Sequence, residues 1–323
     1  MSLDTTQLDH LDNYGYLMVE KVLDPETVLD PIIQEYHGVL ESLASELHGQ
    51  GVISSKYSDL PFGERVTQIY EESGGVYNAY FDFSLPQRGI TSETPFWAGP
   101  AIFNTLTNES LLDVVESVVG SEIFSNPVQH VRIKVPENRA PRDENGHIKF
   151  GPTPWHQDQG VIAEEADETD MLTVWFPLLD AGVENGCLQV MPGTHKNGLL
   201  QHCPRDGAQG LEIPENILHR DGAVAMPMKR GDILLLKQRT AHSALPNTSN
   251  EVRWSFDLRY HVVGRPTGRP EFPGFVARSR NNPESELRDP ITWRNSWITT
   301  RDRLARESDP VYNRWNSEHP ACA

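Results

Sequence analysis

Apolar positions along the chain follow two different periods. Tyr16 to Val22 reads as a short strand. Asp24-Pro25 then opens a helix, with the aspartate as cap and the proline in the first turn, where its missing N–H costs nothing. Leu29, Ile32, Ile33, Tyr36, Val39 and Leu40 continue it at helical spacing. A second helix is expected over 111–119. From about residue 123 the pattern becomes short runs rich in β-branched residues, separated by Gly, Pro, Asn and Asp. The expected strands are 128–135, 171–178, 187–191, 232–237 and 252–263, with Asn185-Gly186 and Pro192-Gly193 as turn signals. Strands without intervening helices predict an antiparallel sandwich or barrel. Asp289-Pro290 starts a last helix, and its Trp293 and Trp297, one turn apart, are expected to pack it onto that barrel.

No repeat and no low-complexity linker divides the 323 residues. One domain, 1–323, is therefore expected: a helix-rich part over 1–122, a mainly β core over 123–265, and a C-terminal extension over 266–323. Three loops, 137–150, 159–170 and 197–224, are placed at the rim of the barrel. The second is acidic, with Glu164, Glu165, Asp167, Glu168 and Asp170, and reads equally well as a solvated loop or a lid.

Charge and cysteine usage narrow the partners. The formal net charge is −18. That excess of acid disfavours DNA and RNA, whose phosphates require Lys and Arg in excess. The longest apolar runs, such as Ile233 to Leu236, are strand-sized and too short to cross a bilayer. Met1-Ser2-Leu3-Asp4 reads as no secretion signal. Cys187, Cys203 and Cys322 are widely spaced and odd in number, so no disulfide framework is expected. A reducing, cytoplasmic location is the simplest inference.

The candidate chemistry begins at His156-Gln157-Asp158. In a strand, residues two apart point to the same face, so imidazole and carboxylate would converge. Two histidines and one carboxylate on one face of an octahedron bind iron(II) and leave positions for a bidentate 2-oxo acid and O2. His-x-Asp alone is a weak signal; the downstream context strengthens it. Gly231-Asp232 leads into the strand Ile233 to Leu236, and His242 follows shortly after. Arg253 sits eleven residues past His242, on a strand that alternates cleanly. Trp254, Phe256, Leu258 and Tyr260 form one face; Arg253, Ser255, Asp257 and Arg259 form the other. An arginine there can grip the distal carboxylate of 2-oxoglutarate with a bidentate pair, and Ser255 can add a hydroxyl. Asp257 and Arg259 are expected to pair with each other. A surface ion pair is the plain alternative for Arg253.

Trp155-His156-Gln157-Asp158, the stretch Asn185 to His195, Gly231-Asp232, His242, Asn247 and Arg253 together resemble the phytanoyl-CoA dioxygenase family. The similarity covers roughly residues 10 to 265. It implies a double-stranded β-helix, or jelly-roll, core of the cupin type with flanking helices. It implies iron(II) on His156, Asp158 and His242, with Arg253 holding 2-oxoglutarate as co-substrate. Thr173 is a further candidate for lining the co-substrate pocket. The resemblance also implies oxidation, usually hydroxylation, of a small molecule, with release of succinate and CO2. Related halogenases carry a small residue in place of the carboxylate, so Asp158 disfavours halogenation. In this family the turn that carries His195 is structural, and no arginine follows it at a suitable distance, so His242 is preferred as the second histidine ligand. His130, His202, His219 and His261 have no partner pattern.

Other readings stay open at this level. A cupin-like metalloenzyme that does not use 2-oxoglutarate, a hydrolytic zinc enzyme and a non-catalytic small-molecule-binding barrel are compatible with the same ligands. A CoA thioester substrate would call for a basic patch; Arg265, Arg269, Arg278, Arg280 and Lys229 are scattered among acids. A free small molecule is the favoured substrate class.

Overall fold

The computed structural model describes residues 2–205, 210–307, 309–310 and 314–322. Part of the expected loop 197–224, residues 206–209, thus lies outside the described residues.

Helices α1 (Thr5–Tyr14), α2 (Asp30–Gly49), α3 (Phe62–Ser73), α4 (Asn78–Phe81), α5 (Pro100–Leu106) and α6 (Glu109–Val119) precede most of the strands. The Asp24 carboxylate accepts from the Thr27 N–H at 2.8 Å, as a capping residue should. A single wide π-turn, Pro25–Leu29, follows it and runs straight into α2. Strand β1 (Tyr16–Val19) lies between α1 and that turn. Later come β2 (Glu122–Ser125), β3 (His130–Lys134), β4 (Leu172–Pro177), β5 (Leu188–Val190), β6 (Cys203–Pro204), β7 (Leu211–Glu212), β8 (Val224–Met226), β9 (Ile233–Lys237), β10 (His242–Ala244), β11 (Arg253–Val262) and β12 (Phe275–Ser279), then helix α7 (Pro290–Leu304).

The strands form a jelly roll. The larger sheet runs β1-β9-β4-β11-β2-β12, with β3 pairing β11 beside β2; the smaller runs β10-β5-β8, and every pairing is antiparallel. Both flanking parts of the chain contribute to the larger sheet, β1 from the N-terminal side and β12 from the C-terminal side.

Strand β11 is the spine, pairing β4 along one edge and β3 then β2 along the other. Its two faces divide as the alternation predicts. Trp254, Phe256, Leu258 and Tyr260 are buried in the main core under the helices. Trp254 stacks on Phe62 of α3 with ring centroids 4.3 Å apart, and Phe256 stacks on Phe83 and Phe176. Trp293 and Trp297 of α7 belong to the same core, as the packing reading of that helix expects. The opposite face of β11 turns into the barrel. There the interior between the two sheets is filled by Trp175, Leu188, Val190, Met226, Leu234, Leu236 and Ala244.

One expectation fails. Cys203 and Cys322, 119 residues apart in sequence, form a disulfide, while Cys187 is free and buried. Sequence spacing could not show this, because the pairing depends on the C-terminal segment folding back onto β6.

Candidate metal centre

Two reciprocal backbone bonds build the site. The His156 N–H donates to the His242 carbonyl and the His242 N–H to the His156 carbonyl, both at 3.0 Å. This single antiparallel bridge sets the two imidazoles side by side, with ring centroids 4.2 Å apart. Gln157 is extended, with φ −112° and ψ 140°, and Asp158 begins a short 3-10 turn, Asp158–Val161. The His-x-Asp pair therefore does not sit in a regular strand. One extended residue between the ligands is enough to bring both side chains to the same side.

The turn before His242 is fixed from α1. Gly15, at φ 82°, ends that helix, and its carbonyl accepts from the Thr240 hydroxyl at 2.6 Å and from the Lys237 N–H at 2.9 Å. A Cβ there would come within 2.4 Å of the His195 ring and 2.5 Å of Thr240, so glycine is required for the close approach as well as for the angle. His195 itself bonds the Asp12 carbonyl and stays with that turn.

One ligand atom from each of His156, Asp158 and His242 can be chosen so that all lie within 4.8 Å of one another. The Nδ1 of His156 donates to the Pro154 carbonyl at 2.8 Å, and the Nδ1 of His242 to the Thr240 carbonyl at 3.0 Å. Each bond selects the tautomer whose Nε2 keeps a free lone pair, the form a metal takes. The His156 Nε2 lies 3.8 Å from Asp158 Oδ1. Burial, then the neighbouring His242, holds the His156 imidazole well below its usual pKa and hence neutral. Two neutral imidazole nitrogens and a carboxylate oxygen converging on one point fit iron(II).

Asp158 is almost wholly buried and both its oxygens are engaged. Oδ1 accepts from the Arg259 guanidinium, and Oδ2 accepts from the Thr173 hydroxyl at 2.5 Å. Burial opposes ionisation, but the Arg259 guanidinium, with the Thr173 hydroxyl adding to it, outweighs it and holds the carboxyl below the usual range. Arg259 also donates to the Val128 carbonyl at 2.7 Å. Its contact with Asp257, at 3.4 Å, is the looser one. The expected Asp257–Arg259 pair is therefore secondary, because Asp158 lies nearer. Thr173, expected in the co-substrate pocket, has its hydroxyl on the Asp158 carboxylate.

Arg253 is 2% exposed, so the surface ion pair does not exist. Its Nε and Nη2 are buried without a hydrogen-bond partner, as is the Ser255 hydroxyl. The guanidinium lies over the Trp175 ring, 5.8 Å from its centroid. Burial, with Arg132 adding to it, pulls Arg253 down to about 9, which leaves it cationic at neutral pH.

Behind the ligands, Gln157 ties three segments together. Its amide donates to the Gly198 and Arg239 carbonyls at 3.0 and 2.7 Å and accepts from the Leu200 N–H at 2.7 Å. Its own N–H donates to the Nε2 of His202 at 2.9 Å. His202 in turn bonds the Leu200 carbonyl and stacks on Trp315. The acidic loop is tied down as well: Asp167 accepts from Gln159 at 2.9 Å and pairs with Arg314 at 2.6 Å. His130 and His261 stand apart from the triad, on Asp82 and the Val262 carbonyl respectively. Arg259 and His202 carried no motif, and Gln157 stood inside one without a role of its own; only Arg259's place on the polar face of β11 pointed to it.

An antiparallel jelly roll that gathers two histidines and an aspartate at one point defines a cupin-type metal-binding barrel. The chain belongs to the phytanoyl-CoA dioxygenase family, whose model matches residues 11–255. It is similar to the phytanoyl-CoA dioxygenase domain-containing protein 1 homolog of Dictyostelium discoideum, with 32% identity over 114 residues, or 32% of this chain and 39% of that one. It is also similar to the 1-deoxypentalenic acid 11-beta-hydroxylase of Streptomyces arenae, with 33% identity over 116 residues, or 33% of this chain and 40% of that one. The matched stretches thus span less than half of these relatives' own length. Among solved structures, the non-heme monooxygenase ThoJ shares the fold at a TM-score of 0.53 and 17% identity, covering 91% of this chain and 98% of that one.

Proposed function

We propose that this protein is an iron(II)- and 2-oxoglutarate-dependent dioxygenase that oxidises, by hydroxylation in the first instance, a small-molecule substrate. His156, Asp158 and His242 would hold the iron. Arg253 would receive the distal carboxylate of 2-oxoglutarate, with Ser255 adding its hydroxyl. With iron and 2-oxoglutarate bound, the site supplies O2 activation coupled to loss of CO2 and formation of succinate, and so oxidation of a C–H bond.

The observation that carries this reading is the unpartnered guanidinium of Arg253. A buried charge without a counter-ion costs several kcal/mol. A fold that retains one inside the barrel, beside an unpartnered hydroxyl, is built to receive an anion there. A cupin-like enzyme with no 2-oxo acid would have no use for that group, and neither would a zinc hydrolase. The role of the chain is to orient. Arg259 and Thr173 keep Asp158 ionised and aimed, the two Nδ1 bonds aim the histidines, and the apolar interior around Trp175 excludes water.

A free small molecule suits the surface better than a CoA thioester. Arg278 lies on Glu109, Asp113 and Glu116, Arg280 on Glu116, and Lys229 on Asp180, so these cations are already neutralised. The similar Streptomyces protein is named for hydroxylating an acid, 1-deoxypentalenic acid. Among the described residues no helix is long and apolar enough to cross a membrane. Ferrous iron and 2-oxoglutarate suit a cytoplasmic location.

The test is an anaerobic titration of the protein with iron(II) and 2-oxoglutarate. A weak visible metal-to-ligand charge-transfer band is expected. Folded, iron-loaded protein that develops no band would refute the co-substrate assignment.

A further inference from the structure

Arg253 is not the only cation on the inner wall of the barrel. Strand β3 runs antiparallel to β11, and its residues stand in register: Lys134 opposite Arg253, Arg132 opposite Ser255, His130 opposite Asp257. Directly opposed residues share a face of the sheet. Val131, Ile133 and Val135 lie in the main core on the helix side, so His130, Arg132 and Lys134 take the barrel side. The charge of Arg132 reaches Arg253, Lys134 and His130 and works against protonation of each.

Of the acids near this wall, Asp158, Asp257 and Asp82 are committed elsewhere, and Glu137 reaches Lys134 through its charge alone. Asp158 and Asp257 lie on Arg259. Asp82 accepts from the His130 ring at 2.8 Å and from the Val131 N–H at 3.3 Å. Lys134 is buried, with its ammonium on two neutral oxygens, the Gly151 carbonyl and the Thr153 hydroxyl. Arg132 is half-buried, and its side chain makes no hydrogen bond or ion pair among the described residues.

Two arginines and a lysine therefore share one stretch of wall with no carboxylate hydrogen-bonded to any of them. A bound 2-oxoglutarate would bring one distal carboxylate, and Arg253 is the more deeply buried receiver. Lys134 is satisfied by the loop it pins. Arg132 is left over. By register it stands two residues along from Arg253, about 7 Å further toward the end of the wall where Arg259 holds Asp158. Arg132 projects from β3, the strand beside β11, so a group bound there would lie alongside the co-substrate rather than in its line from Arg253 to the metal ligands.

Resting on the oxygenase reading above, we propose that Arg132 recognises a carboxylate of the primary substrate, so that the enzyme oxidises an organic acid rather than a neutral molecule. The planar guanidinium suits a carboxylate in a two-bond contact. A neutral analogue would leave the cation half-buried and unpaired, which is a strong basis for rejection.

The experiment uses the full-length protein and its R132Q and R132K variants. The anaerobic iron(II)/2-oxoglutarate band is recorded first for all three. Succinate formation in air is then measured with matched pairs of organic acids and their primary amides on aryl, terpenoid and fatty-acyl skeletons. In the wild type at least one acid is expected to accelerate succinate formation about 10-fold or more over its amide. R132Q should raise the KM for that acid about 10- to 100-fold and remove the preference, leaving the band and the KM for 2-oxoglutarate as in the wild type. R132K should recover part of the preference. A panel in which no acid outperforms its amide overturns the proposal. So does a loss of 2-oxoglutarate affinity in R132Q, which would place Arg132 on the co-substrate instead. Absence of the band from the wild type would take down the oxygenase reading first and this proposal with it.

Discussion

The guanidinium of Arg259 lies on the carboxylate of Asp158, and both groups are buried. A positively charged donor on a metal-ligating carboxylate fixes its orientation and keeps it ionised before the metal arrives. Partners of this kind typically change metal affinity about 10- to 100-fold when removed. R259M should therefore bind iron(II) about 10- to 100-fold more weakly, as read by competition with a chromophoric chelator. R259K, which keeps a charged donor, should recover part of the loss. Unchanged affinity in folded R259M would show that Arg259 serves only the packing of β11.

Arg253 makes a two-sided prediction. Replacing it by Leu removes the buried, unpaired charge, so the apoprotein should melt at the same temperature or higher, as is usual where function costs stability. The same change should weaken 2-oxoglutarate binding by about 2 to 4 kcal/mol, roughly 30- to 1000-fold, because truncating a buried charge partner is costly. Thermal melts with and without 2-oxoglutarate in the presence of iron(II) read both effects. A variant still stabilised by 2-oxoglutarate as the wild type is would remove Arg253 from the co-substrate site.

Much of this was legible in the sequence where a local rule governed the residue. Runs rich in β-branched residues between turn signals located β3, β4, β5, β9 and β11 but neither β2 nor β12, and period-two alternation divided β11 into an aromatic face and a polar face. Capping chemistry located Asp24 at the start of the π-turn that runs into α2. The signals faded where the decisive partner was remote. Helix α3 has Pro61 rather than a capping side chain at its start, and its register is set by Phe62 stacking on Trp254. Strands β10 and β8 are three residues each, defined by pairing with β5 rather than by pattern. Arg259 was visible as a polar residue on the right face. Its real partner, Asp158, lies 101 residues away in the chain, so the nearer Asp257 was the expected one. His202 gave no local signal at all, since its role follows from the return of the 197–205 segment beneath Gln157.

His202 predicts a pH dependence. Its Nε2 accepts from Gln157 and its Nδ1 donates to Leu200, so the folded protein holds it as a neutral ring. Burial lowers its pKa to about 4, against an unfolded value near 6.5. Between those values the unfolded chain binds the extra proton and the folded protein does not. The contribution is thus fully present above about pH 6.5 and is lost as pH falls toward 4, by up to about 3 kcal/mol. Chemical unfolding at pH 7.5 and 5.0 should show this loss in the wild type and a shallower one in H202Q, whose side-chain carbonyl can still accept from Gln157. Equal pH slopes in the two proteins would place the titrating group elsewhere.

The Cys203–Cys322 bond makes the last prediction. It joins β6 to the C-terminal segment, close to where Trp315 stacks on His202 and donates to the Gly160 carbonyl at 2.6 Å. That segment therefore packs against both neighbours of the His-x-Asp turn, and the bond holds its far end. A cross-link over so long a separation restricts the unfolded chain considerably, with a typical effect of about 2 to 4 kcal/mol. The oxidised wild type should accordingly resist urea better than C322S by about that amount, and dithiothreitol should erase the difference. Proteolysis within 314–322 should also be faster in C322S, because the segment then loses its one covalent tie among the described residues and relies on non-covalent contacts such as those of Trp315 and Arg314. Two free thiols in protein purified and assayed without reductant, with no difference from C322S in either measurement, would mean that the segment is held by those contacts and that the cysteines do not cross-link it.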